Sequence, residues 1–294
     1  MKKRLLLMVA ALSSCIYAGE YQNNMGDIHA RVIRGRGEEQ FRTNVIAQDL
    51  NIAGQSGSNQ YIEFVGLANG KYRDGGKFTR TKDFLLGTNS NLVSNSDVFA
   101  GIALGHLKSH MKIDDSSVDV RSYGFDYLIG KRDKDKLIIG KFGYTENKNQ
   151  FTDYKYRSKT YHIGGELGKI YTHEDISVYP FVKGDWEQHT VKSHNGISRF
   201  NQYLFSVTPG VNLIKLFGEK VMINGGIEYS LDITQRKYKI DNDMDKKLPR
   251  HHGEAHIQVG YFWDYDFLVT FDYRKIFNSK YNYDLFSVGL SHNF

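Results

Sequence analysis

The sequence predicts an all-β fold, a membrane-spanning barrel of about 12 antiparallel strands, and three observations carry that expectation. Apolar and polar residues alternate with period two along most of the chain, the apparent strands are long, and the gaps between them alternate in length. Composition frames all three: 294 residues with 20 Tyr, 18 Phe, 29 Gly and 3 Pro favour β structure, yet the mean hydropathy is -0.49. One cysteine, Cys15, rules out a disulfide framework. Beyond the N-terminus no apolar run reaches the eighteen or so residues of a membrane helix, and 14% aromatic content argues against a disordered chain.

The N-terminus reads as a secretory leader. Lys2-Lys3-Arg4 precedes the apolar stretch Leu5 to Leu12, and small residues follow to Ala18 and Gly19, where cleavage is expected, so residues 1-18 form a signal peptide. The run is about half the roughly 20 residues that span a bilayer. Leu12-Ser13-Ser14-Cys15 also resembles a lipoprotein lipobox, which would put a lipid on Cys15. Continuation of the apolar run to Ile16, with Ala18 as a cleavage position, favours a discarded leader. The leader carries three cations and no acid, so net charge falls from +6 to +3 on its removal. Lys and Arg are then interspersed with Asp and Glu, and no nucleic-acid partner is expected.

Residues 19-59 read as a segment ahead of the barrel, a linker that forms a pore helix or plug, with Phe41, Val45 and Leu50 near helical spacing between Glu38 and Leu50. Ile28 to Arg36 alternates enough to suggest a thirteenth strand, but barrels made of one bacterial chain have even strand numbers.

From residue 60 the strands fall at about 60-73, 79-92, 97-110, 118-131, 136-147, 155-170, 175-191, 198-215, 220-237, 252-265, 267-276 and 284-294. Tyr123, Phe125, Tyr127 and Ile129 oppose Ser122, Gly124, Asp126 and Gly130; Phe286, Val288, Leu290, His292 and Phe294 oppose Ser287, Gly289, Ser291 and Asn293. The same split marks Tyr161 to Leu167, Tyr203 to Leu213, Val221 to Leu231, Ile257 to Trp263 and Phe267 to Tyr273. A soluble sandwich would turn the apolar set inward; a membrane barrel turns it to lipid and lines the lumen with polar residues and glycine. Segments such as Lys155 to Ile170 exceed the five or six residues usual in globular strands and suit tilted membrane strands. Gaps run long then short, with Lys239 to His251 in the longest, as expected for tight periplasmic turns and longer outer loops. Tyr171, Tyr179, Trp186, Tyr238, Trp263, Tyr265, Tyr281 and Tyr283 would suit aromatic girdles at the membrane interfaces, although aromatics favour strands generally.

Phe84-Leu85-Leu86-Gly87-Thr88-Asn89, Phe99 to Gly105, Tyr123 to Tyr127 and the final Phe286 to Phe294 together resemble the β-domain of autotransporters, the type V secretion family, over residues 60-294. The resemblance implies a location in the bacterial outer membrane, in contact with its lipid and lipopolysaccharide. It also implies delivery by periplasmic chaperones to the barrel assembly machinery, with Phe286, Val288, Leu290, His292 and Phe294 as the assembly signal. Asn23-Asn24-Met25-Gly26-Asp27-Ile28 resembles the linker that some members cut between two asparagines to release a passenger. About five residues would separate Gly19 from Asn24, so neither self-cleavage nor a sizeable passenger is expected. The family reading is therefore a passenger-poor pore, translocator or surface protein.

Enzymatic chemistry is weakly represented, and neither an enzyme nor a cofactor is expected. Gly54-Gln55-Ser56-Gly57-Ser58 has the wrong spacing for a nucleophile elbow, and Gly35-Arg36-Gly37 lacks the third glycine of a phosphate loop. His252, Glu254 and His256 would share one strand face, but about 7 Å between alternate residues is wide for a single ion, so no metal site is expected. His106, His110, His162, His189 and His292 leave room for a membrane-embedded hydrolase. The charged loop from Asp241 to Arg250 suggests instead a surface adhesin or binding protein.

Overall fold

The computed structural model describes residues 28-47, 50 and 59-293, apart from 73-76, 82, 92-96, 114-115, 152-154, 192-199, 235-236, 241-243, 248 and 265-266. Twelve strands form the wall. They are β1 (Asn59–Tyr72), β2 in two pieces (Lys77–Thr81 and Asp83–Asn91), β3 (Val98–Ile113), β4 (Ser116–Asp133), β5 (Lys136–Phe151) and β6 (Lys155–Lys169, then Tyr171–His173). They continue as β7 (Ile176–Val191), β8 (Phe200–Phe217), β9 (Val221–Asp232), β10 (His251–Asp264), β11 (Phe267–Asn278) and β12 (Tyr281–Asn293).

Each strand pairs antiparallel with the next, and β1 closes on β12 from Asn59↔Asn293 to Tyr72↔Tyr281, with a bulge between Val65 and Leu67. Closure leaves no unpaired edge, the condition for a sheet to survive in hydrocarbon. The expectation of twelve antiparallel strands in a barrel holds.

So does the expected inversion of its faces. Ile102 and Leu104 on β3, Ile129 on β4, Phe142 on β5, Ile163 and Leu167 on β6, and Val288 and Leu290 on β12 are all exposed, whereas Asp126, Lys141, Glu166, Asp185, Asn212 and Asp272 are buried. More than thirty large apolar side chains face outward among the described residues. An apolar band of that extent belongs against lipid, since soluble surfaces rarely carry apolar patches beyond a few hundred Å².

Hairpin lengths differ from expectation. β3 runs to Ile113 and β4 resumes at Ser116, and β5 runs to Phe151 with β6 starting at Lys155, so two expected seven-residue loops shrink to a few residues. The hairpins simply keep pairing past the apolar band, through polar pairs such as Asp119↔Gln150. The loop end still holds the long connections, between Val191 and Phe200 and between Asp232 and His251; the second includes a hairpin in which Lys237–Ile240 pairs with Met244–Lys247. At the opposite, turn end, Lys134, Glu174 and Gly218 adopt left-handed φ values of 56°, 51° and 61° to reverse the chain tightly. There Lys169 hydrogen-bonds Asp135 at 2.8 Å and holds that carboxyl below its usual range.

Three of the tyrosines expected in the girdles point inward. Tyr179, Tyr281 and Tyr283 are buried, while Tyr171, Trp186 and Trp263 face out. Parity explains Tyr179, which shares its strand face with Lys183, Asp185 and Glu187. The side chain of Tyr238 and all of Tyr265 lie outside the described residues.

Candidate functional site in the barrel lumen

Residues 28-47 form a helix, α1, inside the barrel. Twenty residues at 1.5 Å each give about 30 Å, the thickness of the hydrocarbon layer. Helix was expected nearer Glu38 to Leu50; it begins ten residues earlier and takes in the stretch that alternated like a strand. Gly35 and Gly37 argue locally against helix there. The wall overrides that preference: a Cβ on Gly37 would lie 2.8 Å from Ala103 Cβ, and one on Gly35 3.0 Å from Arg274 Nη1. Glycine is what lets the helix approach those wall positions.

The two ends of α1 meet different surroundings. At the loop end His29 sits between Ser122 (2.7 Å) and Ser109 (2.6 Å), fully buried. At the turn end Phe41, Val45, Ile46, Ala47 and Leu50 pack in one apolar cluster with Phe99, Leu128, Leu137, Tyr179, Phe181, Met222 and Phe262 of the wall. The wall glycine Gly130 makes room there, since a Cβ on it would lie 2.8 Å from the Phe41 ring. A greasy stopper therefore closes the turn end of a lumen that is otherwise polar.

Between these ends, all six charged side chains of α1 engage the wall. Arg34 meets Glu187 at 2.7 Å, and Arg42 meets Glu166 at 3.0 Å with its guanidinium 4.5 Å from the Phe181 ring centre. Arg36 lies 2.8 Å from Asp272 on β11 and also contacts Glu63 on β1 and Ser287 on β12. Arg31 contacts His252. Glu38 accepts from Lys141 at 2.5 Å and Lys183 at 3.0 Å, and those lysines reach Asp185 (2.8 Å) and Glu228 (2.7 Å) in turn. Glu39 pairs with Arg274, with His256 at 3.3 Å, and accepts from Asn224 at 3.3 Å.

Among the described residues, buried wall carboxylates (Glu63, Asp126, Glu166, Asp185, Glu187, Asp232, Glu254 and Asp272) outnumber the buried wall cations (Lys141, Lys183 and Arg274), whereas α1 carries four arginines against two glutamates. The complementarity fixes the depth and rotation of the helix, because a slide of one turn, about 5.4 Å, would misplace every pair. Beside Gly35 a polar gap of about 20 Å³ remains, lined among others by Arg34, Glu38, Lys183 and Glu228. It has room for about one water.

None of these helix arginines was singled out by sequence reasoning. The available signal was the wall: Lys141, Lys183, Asp185, Glu187, Asp272 and Arg274 sit on inward positions at membrane depth and call for counter-charges, some of them met across the wall and the rest by the segment before residue 59. His252, Glu254 and His256 do follow one strand, and each is taken by the helix or by Arg274. Among the described residues no three His, Cys, Asp or Glu side chains group as metal ligands. The five histidines that left room for a hydrolase are dispersed: His162 pairs with Asp126 in the lumen, His110 with Asp119 at 2.8 Å outside, His189 with Thr160 at 2.9 Å, while the rings of His106 and His292 rest on Tyr123 and Phe267.

Of the final-strand residues, Phe286, Val288 and Leu290 project outward, each close to 45% exposed, so they are available to a surface contact. Phe294, Ala18, Gly19, Asn23 and Asn24 lie outside the described residues.

No protein-family model matches the sequence, and none of the curated proteins is similar to it. Solved structures are. The translocator domain of the autotransporter NalP from Neisseria meningitidis superposes with a TM-score of 0.66 at 16% identity, covering 94% of this chain and 99% of that one. The transport unit of AIDA-I from Escherichia coli gives 0.60 at 12% identity over 88% and 99%, and the β-domain of BrkA from Bordetella 0.57 at 11% over 81% and 100%. At such identities the likeness is one of architecture: a closed twelve-stranded barrel with an inverted apolar face, the fold of an autotransporter β-domain.

Proposed function

We propose that the chain is a barrel of the bacterial outer membrane, a translocator-type pore that its own N-terminal helix holds shut at rest. The observation that carries this reading is α1 itself, buried along the lumen, paired to the wall at every charge and sealed by the apolar cluster at the turn end. A translocator needs a lumen wide enough for a chain in transit, and a lumen holding a helix meets that requirement. The test is electrical. In planar bilayers the intact chain gives rare, small openings, and a chain lacking residues 28-47 gives large, steady steps. Equal conductance from the two would overturn the plug, and silence from the deleted chain would overturn the pore.

Assembly belongs to the same reading. The outward Phe286, Val288 and Leu290 with Phe294 form the segment read by the barrel assembly machinery after export, with the leader cut between Ala18 and Gly19. Deleting Phe294 is expected to prevent insertion in cells while refolding in detergent persists. Insertion in cells at the normal level would discard this assignment.

One observation favours a surface role beside the pore. Between β9 and β10, Lys237–Ile240 and Met244–Lys247 pair in a small sheet separate from that of the wall. If it binds a partner, deleting it abolishes cell-surface binding without disturbing the barrel; undiminished binding would remove this reading.

A further inference from the structure

We propose that the outward face of β3 to β6, at the loop end, is a binding site for the phosphate-bearing headgroup of an outer-leaflet lipid. The inference rests on the reading of the chain as an outer-membrane barrel. The register brings four cations side by side on successive strands: Lys108 opposes Arg121, Arg121 opposes Lys148, and Lys148 opposes Arg157. All four are exposed. Adjacent strands lie about 4.8 Å apart, so the row spans about 14 Å.

Like charges directly opposite one another weaken a sheet. Of the nearby acids, Glu146 comes within 3.8 Å of Arg157, and Asp119 is engaged by His110 at 2.8 Å. Nothing in strand pairing asks for such a row, whereas a multivalent anion does.

What lies on the membrane side of the row selects the kind of anion. Lys148 Nζ lies 4.9 Å from the Tyr123 ring centre, and Lys159 Nζ 5.7 Å from that of Tyr144. Below these come the exposed Leu104, Phe142 and Ile163 of the apolar band. Cations, then aromatics, then bare hydrocarbon-facing side chains match an amphiphile whose phosphates stay at the interface and whose chains run down the wall. A free phosphate has no use for the lower part. At other described positions of the loop end the contacts differ: Gln188 and Thr190 hydrogen-bond Asn201, and Lys275 faces Asp284 at 3.7 Å. At the turn end Lys169 is matched by Asp135 at 2.8 Å and Lys215 lies 3.9 Å from Asp175.

The test places the full chain in phosphatidylcholine nanodiscs containing diphosphoryl lipid A and counts lipid A retained on detergent extraction by native mass spectrometry. Lys108→Gln/Arg121→Gln/Lys148→Gln/Arg157→Gln is compared with a turn-end control, Lys131→Gln/Lys136→Gln/Lys169→Gln/Lys215→Gln. Each cation near an anionic headgroup contributes about a fivefold factor, so the four together predict a loss of roughly several hundredfold. The control is expected to retain lipid A like the unaltered chain, and inorganic phosphate should not displace it. A smaller variant, Arg121→Gln/Lys148→Gln, gives an intermediate loss and serves if the fourfold one fails to assemble. In plain detergent the fourfold variant should melt higher than the unaltered chain, because repulsion is relieved, an outcome that a merely structural role would reverse. Equal retention by the variants, equal loss in the control, or displacement by inorganic phosphate would each overturn the site. An unaltered chain that never enters the disc would overturn the barrel reading instead.

Discussion

Replacing Arg36 by Met isolates what the buried charges do. The side chain is 1% exposed, lies 2.8 Å from Asp272, contacts Glu63 and Ser287, and keeps length and apolar stem in the variant. Removing the cation leaves two carboxylates facing each other in a site nearly free of solvent. Breaking a buried pair in this way costs about 3 to 5 kcal/mol, because the partner charge stays desolvated. At about 1.4 kcal/mol per tenfold change, the ratio of undocked to docked helix rises by about two to nearly four orders of magnitude. Two assays follow it. Single-channel recording should show openings that are rare in the unaltered chain become frequent, and heat-modifiable migration in detergent gels should show the barrel melting at lower temperature. The triple variant Arg36→Met/Glu63→Gln/Asp272→Asn removes the stranded charges and should recover most of the loss, a coupling read directly by the mutant cycle. A change below about 0.5 kcal/mol for the single variant, or none recovered by the triple, would refute the claim that this cation docks the helix.

Three further outcomes are expected. Phe142→Lys, in the exposed band, should destabilise the refolded barrel by about 2 to 4 kcal/mol, whereas Trp263→Lys, at the turn-end rim, should cost about 0 to 1 kcal/mol; equal effects in urea titrations would contradict the placement of the band. Gly143→Ala should lower the melting temperature, since its Cβ would lie 2.5 Å from the Phe125 carbonyl oxygen, a backbone atom that cannot step aside; an unchanged melting temperature would discard the close approach. Phe41→Ala should cost about 3 to 5 kcal/mol if the ring is the packed stopper facing Gly130, and should raise resting conductance in planar bilayers; a silent bilayer and unaltered melting would show that the cluster does not seal the turn end.

The barrel was legible because its signal is repetitive. One outward set after another, from Tyr123 to Ile129 through to Phe286 to Leu290, reads the same way, and a single register error would flip a whole strand. The lumen was not legible, for two reasons. A helix surrounded by a polar wall has no solvent side, so α1 shows no apolar stripe from Ile28 to Gly37, and its glycines look like breakers until Ala103 and Arg274 are seen beside them. Pairing of charges across strands is a property of the closed ring: nothing near Arg36 in sequence announces Glu63, Asp272 and Ser287. Tyr179 failed differently, since residue type suggested a girdle while its own strand's parity, shared with Lys183 and Asp185, already pointed inward.

The seam between β1 and β12 joins residues more than two hundred positions apart, and Arg36 touches both sides of it as well as β11. The helix is thus a fastener on the hoop as much as a cork in the neck. Drawing it out removes a cation that both strands of this join share, so emptying the lumen and loosening the join are linked through one side chain.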